Sequence, residues 1–132
     1  MLLSEKQIKD YQSEGVIIVK EIFKDWIKPL RKGFQKVLDN PSKHGRENVS
    51  DSRGRFFEDY CNWERVNEFK DCIFNSPGAQ IVAEVTNSKS TQIFHEHVFI
   101  KEPGTHKETP WHQDMPYYCV CLLYTSPSPR DP

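Results

Sequence analysis

The segment KETPWHQDMPYY, residues 107–118, places a histidine and an aspartate two positions apart, at His112 and Asp114. On a β-strand, residues i and i+2 point from the same face. An imidazole nitrogen and a carboxylate oxygen held side by side are ligands that first-row transition metals accept. The spacing therefore indicates two-thirds of a three-residue metal site. The bare H-x-D pattern also fits a polar surface loop, so its surroundings must decide between the two.

A second candidate site precedes the first one along the chain. His95 and His97, followed by Glu102, resemble the first half of a cupin metal motif. The glycines that this motif expects around the histidines are missing, and Glu102 has the opposite strand parity to both of them. A cupin-type site at these residues is therefore the weaker alternative.

Composition excludes several classes of protein. With 132 residues the chain fits one domain. Its 18 basic and 19 acidic residues nearly balance, so the net charge does not indicate binding to nucleic acid or to a membrane surface. No apolar run approaches the roughly 20 residues of a membrane span. The opening MLLSEKQ is too short in apolar residues for a signal peptide. Four cysteines without CxxC spacing predict reduced thiols in a cytoplasmic protein.

Helical patterns fill most of the first two-thirds of the chain. Ser4 and Gln7 predict a capping box, and Gly15 predicts the end of that first helix. Asp25 predicts the cap of a second helix, because apolar residues then recur at helical spacing over residues 27–38. The two helices are predicted to precede most of the β-strands and to pack outside them.

The middle of the chain alternates between polar and helical stretches. Residues 42–55 show no apolar period and predict a loop, either a lid or a solvated connector. Residues 63–74 and 76–85 predict two further helices, with Ser76 as the N-cap of the second.

Three segments predict strands, at residues 16–20, 91–101 and 110–115. From residue 91 the apolar period is two, and both faces of this strand are half apolar, which is typical of a sandwich or barrel. Trp111 is predicted to pack in the core, and two tyrosines after the H-x-D motif are candidates for a substrate pocket or for the core. One face of the 91–101 strand carries Ile93, His95, His97, Phe99 and Lys101.

The order of these parts resembles the phytanoyl-CoA dioxygenase family. The resemblance covers Leu3 to about Val120 and depends on LSEKQIKDYQSEGVIIVKEIF, on the strand ending IKEPG and, most specifically, on KEPGTHKETPWHQDMPYY. It implies an α+β fold in which N-terminal helices flank a double-stranded β-helix, a jelly-roll or cupin-like barrel. It also implies a non-haem Fe(II), 2-oxoglutarate-dependent dioxygenase that hydroxylates a small organic or acyl substrate with O2. Ascorbate is a candidate reductant.

The resemblance also implies roles for individual residues. The H-x-D motif of the family falls on His112 and Asp114, and a distal histidine and a basic residue beyond it, which this chain does not supply, complete the site. Lys101 is a candidate for an additional contact with 2-oxoglutarate, or else a lysine at the rim of the barrel. A non-catalytic jelly-roll binding module is the alternative function.

The last twelve residues, CLLYTSPSPRDP, break the family pattern. They resemble a translated sequencing-library adaptor, although a Pro/Ser-rich tail is the alternative. The expected organisation is thus a family domain at residues 1–120 and a non-native tail at 121–132. On this interpretation the chain is the N-terminal fragment of a longer oxygenase and is inactive by itself.

Overall fold

The structure is a computed structural model that describes residues 1–48 and 54–112. Within these ranges the chain forms four α-helices, one 3-10 turn and an antiparallel sheet of strand order β1-β2-β3. No helix in them is both long and apolar enough to span a bilayer. The α+β class is confirmed at this level, while a double-stranded β-helix is not among the described elements. In chain order the elements are α1 (Glu5–Glu14), the 3-10 turn (Lys24–Trp26), α2 (Ile27–Asp39), β1 (Arg46–Glu47), β2 (Phe56–Tyr60), α3 (Asn67–Asn75), α4 (Gly78–Thr86) and β3 (His97–Lys101).

Both ends of α1 lie where the sequence predicts them. The Ser4 side chain accepts a hydrogen bond from the Gln7 backbone N–H at 3.3 Å, and the Gln7 side chain accepts one from the Ser4 N–H at 2.9 Å. Gly15 has a φ of 75° and donates its N–H to the carbonyl of Tyr11 at 2.8 Å. Only glycine adopts this left-handed conformation without a Cβ penalty, so the helix ends there.

Helix α2 is confirmed, but the predicted cap at Asp25 is wrong. Asp25 lies inside the 3-10 turn, and Trp26 occupies the N-cap position without a side-chain hydrogen bond. The turn already pairs backbone groups ahead of the helix, since the Trp26 N–H donates to the Phe23 carbonyl at 2.9 Å. Asp25 lies one residue before the N-cap position, so its carboxylate does not cap the backbone N–H groups of α2.

The predicted buried strand at residues 16–20 is also wrong. Val16 and Ile18 are 67% and 81% exposed, and the segment belongs to no strand of the described sheet. A β-branched apolar run becomes a strand only where another strand offers it a ladder of backbone hydrogen bonds. In the described part of the chain, this run has no such partner.

Strand β2 is the element that the sequence patterns did not reveal. Residues Phe56–Asp59 are all buried. β1 and β3 flank this strand, helices cover one of its faces, and contacts with Phe99 and Arg46 shield Phe56 and Glu58 on the other. A strand buried on both faces loses the alternation of apolar and polar residues by which strands are recognised. Strand β1 likewise lies within the segment predicted as a loop, residues 42–55.

Strand β3 is shorter than the predicted 91–101 strand, but its faces are as expected. Its pairing with β2 begins at Tyr60 opposite His97. Cys61 has a φ of 57°, which turns the chain out of the sheet and leaves most residues before His97 without a strand to pair with. Val98 is buried on one face, whereas His97 and Phe99 lie on the opposite, more exposed face.

Helices α2 and α3 cover the face of the sheet that carries Phe57 and Val98. An apolar core forms between them, from Val37, Phe57, Val66, Phe69 and Val98. The two helices approach closely at Gly33, where an added Cβ would lie 2.5 Å from a ring carbon of Phe69. The other face of the sheet is left open, and the candidate site lies there.

We expect Gly33→Ala to destabilise the protein although alanine is the better helix former. The gain in helix propensity is about 1 kcal/mol, and overpacking a buried contact costs about 1–3 kcal/mol. The Phe69 ring is 4% exposed and has little room to move. Urea denaturation should show a lower free energy of unfolding, and the loss should shrink in a Phe69→Leu background. An equal loss in both backgrounds would contradict the contact as the cause.

Candidate functional site

A cleft of about 810 Å³ lies over the open face of the sheet. Antiparallel pairing places directly opposite residues on the same face, so Glu58 opposite Phe99 and Tyr60 opposite His97 form its floor. The segment before the H-x-D motif forms the facing wall. The lining residues are Arg46, Asn48, Phe56, Glu58, Tyr60, His97, Phe99, residues 107–110 and His112.

Glu58 is the most buried charged group of the cleft. Its side chain is only 7% exposed, and it forms an ion pair with the Nε of Arg46. Its other carboxylate oxygen lies 3.6 Å from Nε2 of His97. Burying a carboxylate without partners costs free energy, so the contacts with Arg46 and His97 stabilise Glu58 in the floor of the cleft.

His97 lies between a carboxylate and an aromatic ring. Its imidazole stacks on the Tyr60 ring with centroids 4.0 Å apart and an interplanar angle of 23°. Burial lowers the pKa of His97 below its ordinary value, and the nearby Glu58 carboxylate offsets only part of that effect. At neutral pH this histidine is therefore neutral.

His112 lines the wall of the cleft that faces the sheet. Its Nδ1 lies 2.7 Å from the carbonyl oxygen of Pro110. A carbonyl oxygen only accepts, so this contact is a hydrogen bond donated by an N–H at Nδ1. Metal-binding histidines have this arrangement, in which one nitrogen is anchored and the other coordinates. Asp114 lies outside the described residues, so the pairing of the two side chains stays a prediction.

Other predictions in this segment have mixed outcomes. Trp111 is fully exposed, so its predicted packing role is wrong. Residues 110–112 do not form a strand, and the rest of the predicted 110–115 strand lies outside the described residues, as do Tyr117 and Tyr118.

Lys101 lies on the open face of the sheet, which confirms its predicted parity with His97. It pairs with Phe56 across the sheet, and its ammonium nitrogen lies 5.3 Å from the centroid of the Phe56 ring. This cation–π contact places the ammonium beside a residue that lines the cleft. The predicted contact with 2-oxoglutarate stays a prediction.

The geometry of Glu102 does not favour the cupin-type alternative. Its carboxylate accepts the backbone N–H of Arg55 at 3.0 Å, and so it is engaged away from His95 and His97. Across residues 1–48 and 54–112, no three histidine, cysteine or acidic side chains are grouped closely enough to hold a metal ion.

Asp59 anchors the floor from the helix side, and sequence reasoning missed its role. Its side chain is 0% exposed and accepts hydrogen bonds from the backbone N–H groups of Ser42 at 2.8 Å and Tyr60 at 2.7 Å. Burial alone would raise the pKa of Asp59, but these bonds and those from the Ser42 and Asn62 side chains outweigh it and lower the pKa. The carboxylate therefore ties the chain just ahead of β1 to β2.

Comparison with known proteins identifies a family. The model of the family described as Phytanoyl-CoA dioxygenase (PhyH) matches residues 11–130, which is most of the chain and includes much of the segment predicted as a non-native tail. No curated protein and no solved structure matches the chain.

Proposed function

The chain belongs to the phytanoyl-CoA dioxygenase family, and from this premise we propose that it carries part of the active site of an Fe(II)/2-oxoglutarate-dependent dioxygenase. The family lies within the Fe(II)/2-oxoglutarate oxygenase superfamily. The observation that carries the proposal is His112, which belongs to the family's H-x-D motif and lines the cleft with its Nδ1 2.7 Å from the Pro110 carbonyl oxygen. The proposed reaction is hydroxylation of a small organic or acyl substrate.

In this proposal His112 and Asp114 hold the iron, as a neutral imidazole and a carboxylate. This donor set fits the two-histidine, one-carboxylate arrangement that leaves open positions on Fe(II) for co-substrate and O2. When bound, the iron supplies the activation of O2 that hydroxylation of a C–H bond requires. The protein supplies binding and orientation, and the Phe56 and Phe99 rings, with centroids 4.7 Å apart, give the floor of the cleft an apolar surface.

The third ligand is proposed to lie outside residues 1–132. No histidine follows Asp114 in the sequence, whereas the family pattern has a distal one. A family segment at residues 1–120 with a non-native tail at 121–132 stays a proposal, and the family match through residue 130 does not favour that boundary. Two protein ligands position a metal less firmly than three, so the 132-residue chain is expected to be inactive alone.

The test is succinate formation from 2-oxoglutarate. The 132-residue chain and a protein expressed from the complete reading frame are each supplied with Fe(II), ascorbate and 2-oxoglutarate, with and without a panel of organic and acyl substrates. Iron-dependent succinate release by the longer protein supports the dioxygenase. Its absence under all conditions would favour a non-catalytic binding module, and equal turnover by both chains would contradict the missing ligand.

Lys101→Met is expected to raise the KM for 2-oxoglutarate about tenfold in the longer protein, with a smaller change in kcat. The reason is that one charge-assisted contact to a carboxylate contributes about 1.5 kcal/mol or more. Methionine keeps the length of the side chain and its contact with the Phe56 ring. Lys89→Met, at an exposed position between α4 and β3, is the matched control. An unchanged KM for 2-oxoglutarate in the Lys101 variant would show that this lysine does not contact the co-substrate and lies only at the rim of the cleft.

A further inference from the structure

Arg46 lies at the edge of the cleft and is oriented by the buried carboxylate in its floor. The register of β1 on β2 places Arg46 directly opposite Glu58, so both side chains emerge from the open face of the sheet. Glu58 accepts the N–H of Arg46 at Nε. The arginine side chain is 67% exposed, whereas the glutamate is 7% exposed, so the pair joins the floor of the cleft to its accessible rim.

The position of Arg46 is fixed from both faces of the sheet. On the open face, Glu58 also contacts His97 through its second oxygen, which holds the carboxylate in place. On the helix face, Asp59 binds the backbone of Ser42 and so anchors the segment that leads into β1. Anchoring of this kind reduces the entropy that a long side chain loses when it binds a ligand.

Most of the hydrogen-bonding capacity of Arg46 is unused within the described residues. A guanidinium has five N–H donors in a planar fork, and the bond to Glu58 uses the one at Nε. No second acidic side chain among residues 1–48 and 54–112 forms an ion pair with it. The fork geometry of the remaining donors matches a carboxylate, which accepts two parallel hydrogen bonds.

We propose that Arg46, positioned by Glu58, is a carboxylate-binding subsite of the cleft. The Phe56 and Phe99 rings line the same cleft, so the ligand that fits carries an apolar portion next to its carboxylate. Calling this ligand a substrate or co-substrate rests on the proposed dioxygenase function. The carboxylate could belong to an organic-acid substrate or to 2-oxoglutarate, and Lys101 lies two residues further along the sheet from the Arg46 row.

The experiment measures binding without iron, so that a failure of the dioxygenase proposal does not affect it. Hexanoate and 2-oxoglutarate are each titrated against the iron-free chain, with affinity measured by calorimetry or ligand-detected NMR. The variants are Arg46→Gln, Glu58→Gln and the double variant, and Arg31→Gln on the exposed surface of α2 is the control. Circular dichroism verifies the fold of each. Arg46→Gln changes an exposed side chain, so it tests the subsite even if Glu58→Gln fails to fold.

Arg46→Gln is expected to weaken binding of at least one probe about tenfold, which corresponds to one charge-assisted contact. Loss for hexanoate alone assigns the subsite to the substrate, and loss for 2-oxoglutarate assigns it to the co-substrate. Because Glu58 acts through Arg46, the double variant should bind no more weakly than Arg46→Gln. The proposal is overturned if neither probe binds the unaltered chain, if Arg46→Gln binds both as tightly as the unaltered chain, or if Arg31→Gln has an equal effect.

Discussion

Replacement of His112 by alanine is expected to lower iron-dependent succinate formation by the longer protein more than about 100-fold, and Asp114→Ala should do the same. Loss of a residue that only supports a metal ligand costs about 10- to 100-fold in metal affinity or activity, so loss of a ligand itself should cost more. The imidazole of His112 donates a hydrogen bond to the Pro110 carbonyl, which fixes the orientation of its ring in the cleft wall.

A matched control is available six residues earlier. His106→Ala removes an exposed imidazole from the same loop without changing the lining of the cleft, and it should leave turnover unchanged. Equilibrium dialysis with Fe(II) gives a second measurement, in which the His112 and Asp114 variants should bind less metal than the control. Iron-dependent turnover that survives His112→Ala combined with Asp114→Ala would overturn the site assignment.

Asp59→Ala is expected to lower the free energy of unfolding by about 3–5 kcal/mol, a large part of the stability of a small domain. The substitution leaves the part-buried backbone N–H groups of Ser42 and Tyr60 without their acceptor. It also removes the carboxylate that lies 3.7 Å from the Arg65 guanidinium. Urea denaturation at pH 7 measures the loss. Asp10→Ala, which removes only an exposed pair with Lys6, should cost about 0.5 kcal/mol.

The same carboxylate predicts how stability depends on pH. The pKa of Asp59 is lower in the folded protein than its ordinary value of 3.8. A lowered pKa means that the folded state favours the ionised form, so the stabilisation is complete above about pH 4 and is lost as the pH falls through the folded-state pKa. The difference in unfolding free energy between the unaltered chain and Asp59→Asn should therefore shrink on acidification below pH 4. A constant difference down to pH 2 would contradict this role.

Features that depend on neighbours a few residues apart were determined by the sequence alone. The capping box at Ser4 and Gln7 and the left-handed Gly15 follow from hydrogen bonds within one helical turn, so their residue types and spacing were sufficient. The amphipathic pattern of α2 likewise predicted which side of the helix faces the core. The family resemblance depends on the same kind of information, a continuous motif around His112, and the family match confirms it.

Features that depend on pairing between distant segments were decided only by the tertiary structure. Strand β2 is central and its residues Phe56–Asp59 are all buried, so it lacks the alternation that reveals a strand. Residues 16–20 have a β-branched apolar composition but pair with no strand in the described part of the chain. The cluster of Arg46, Glu58 and His97 joins residues far apart in the chain through the register of three strands. No local pattern records such a register, because it results from competition among all segments for the same backbone hydrogen bonds and the same core.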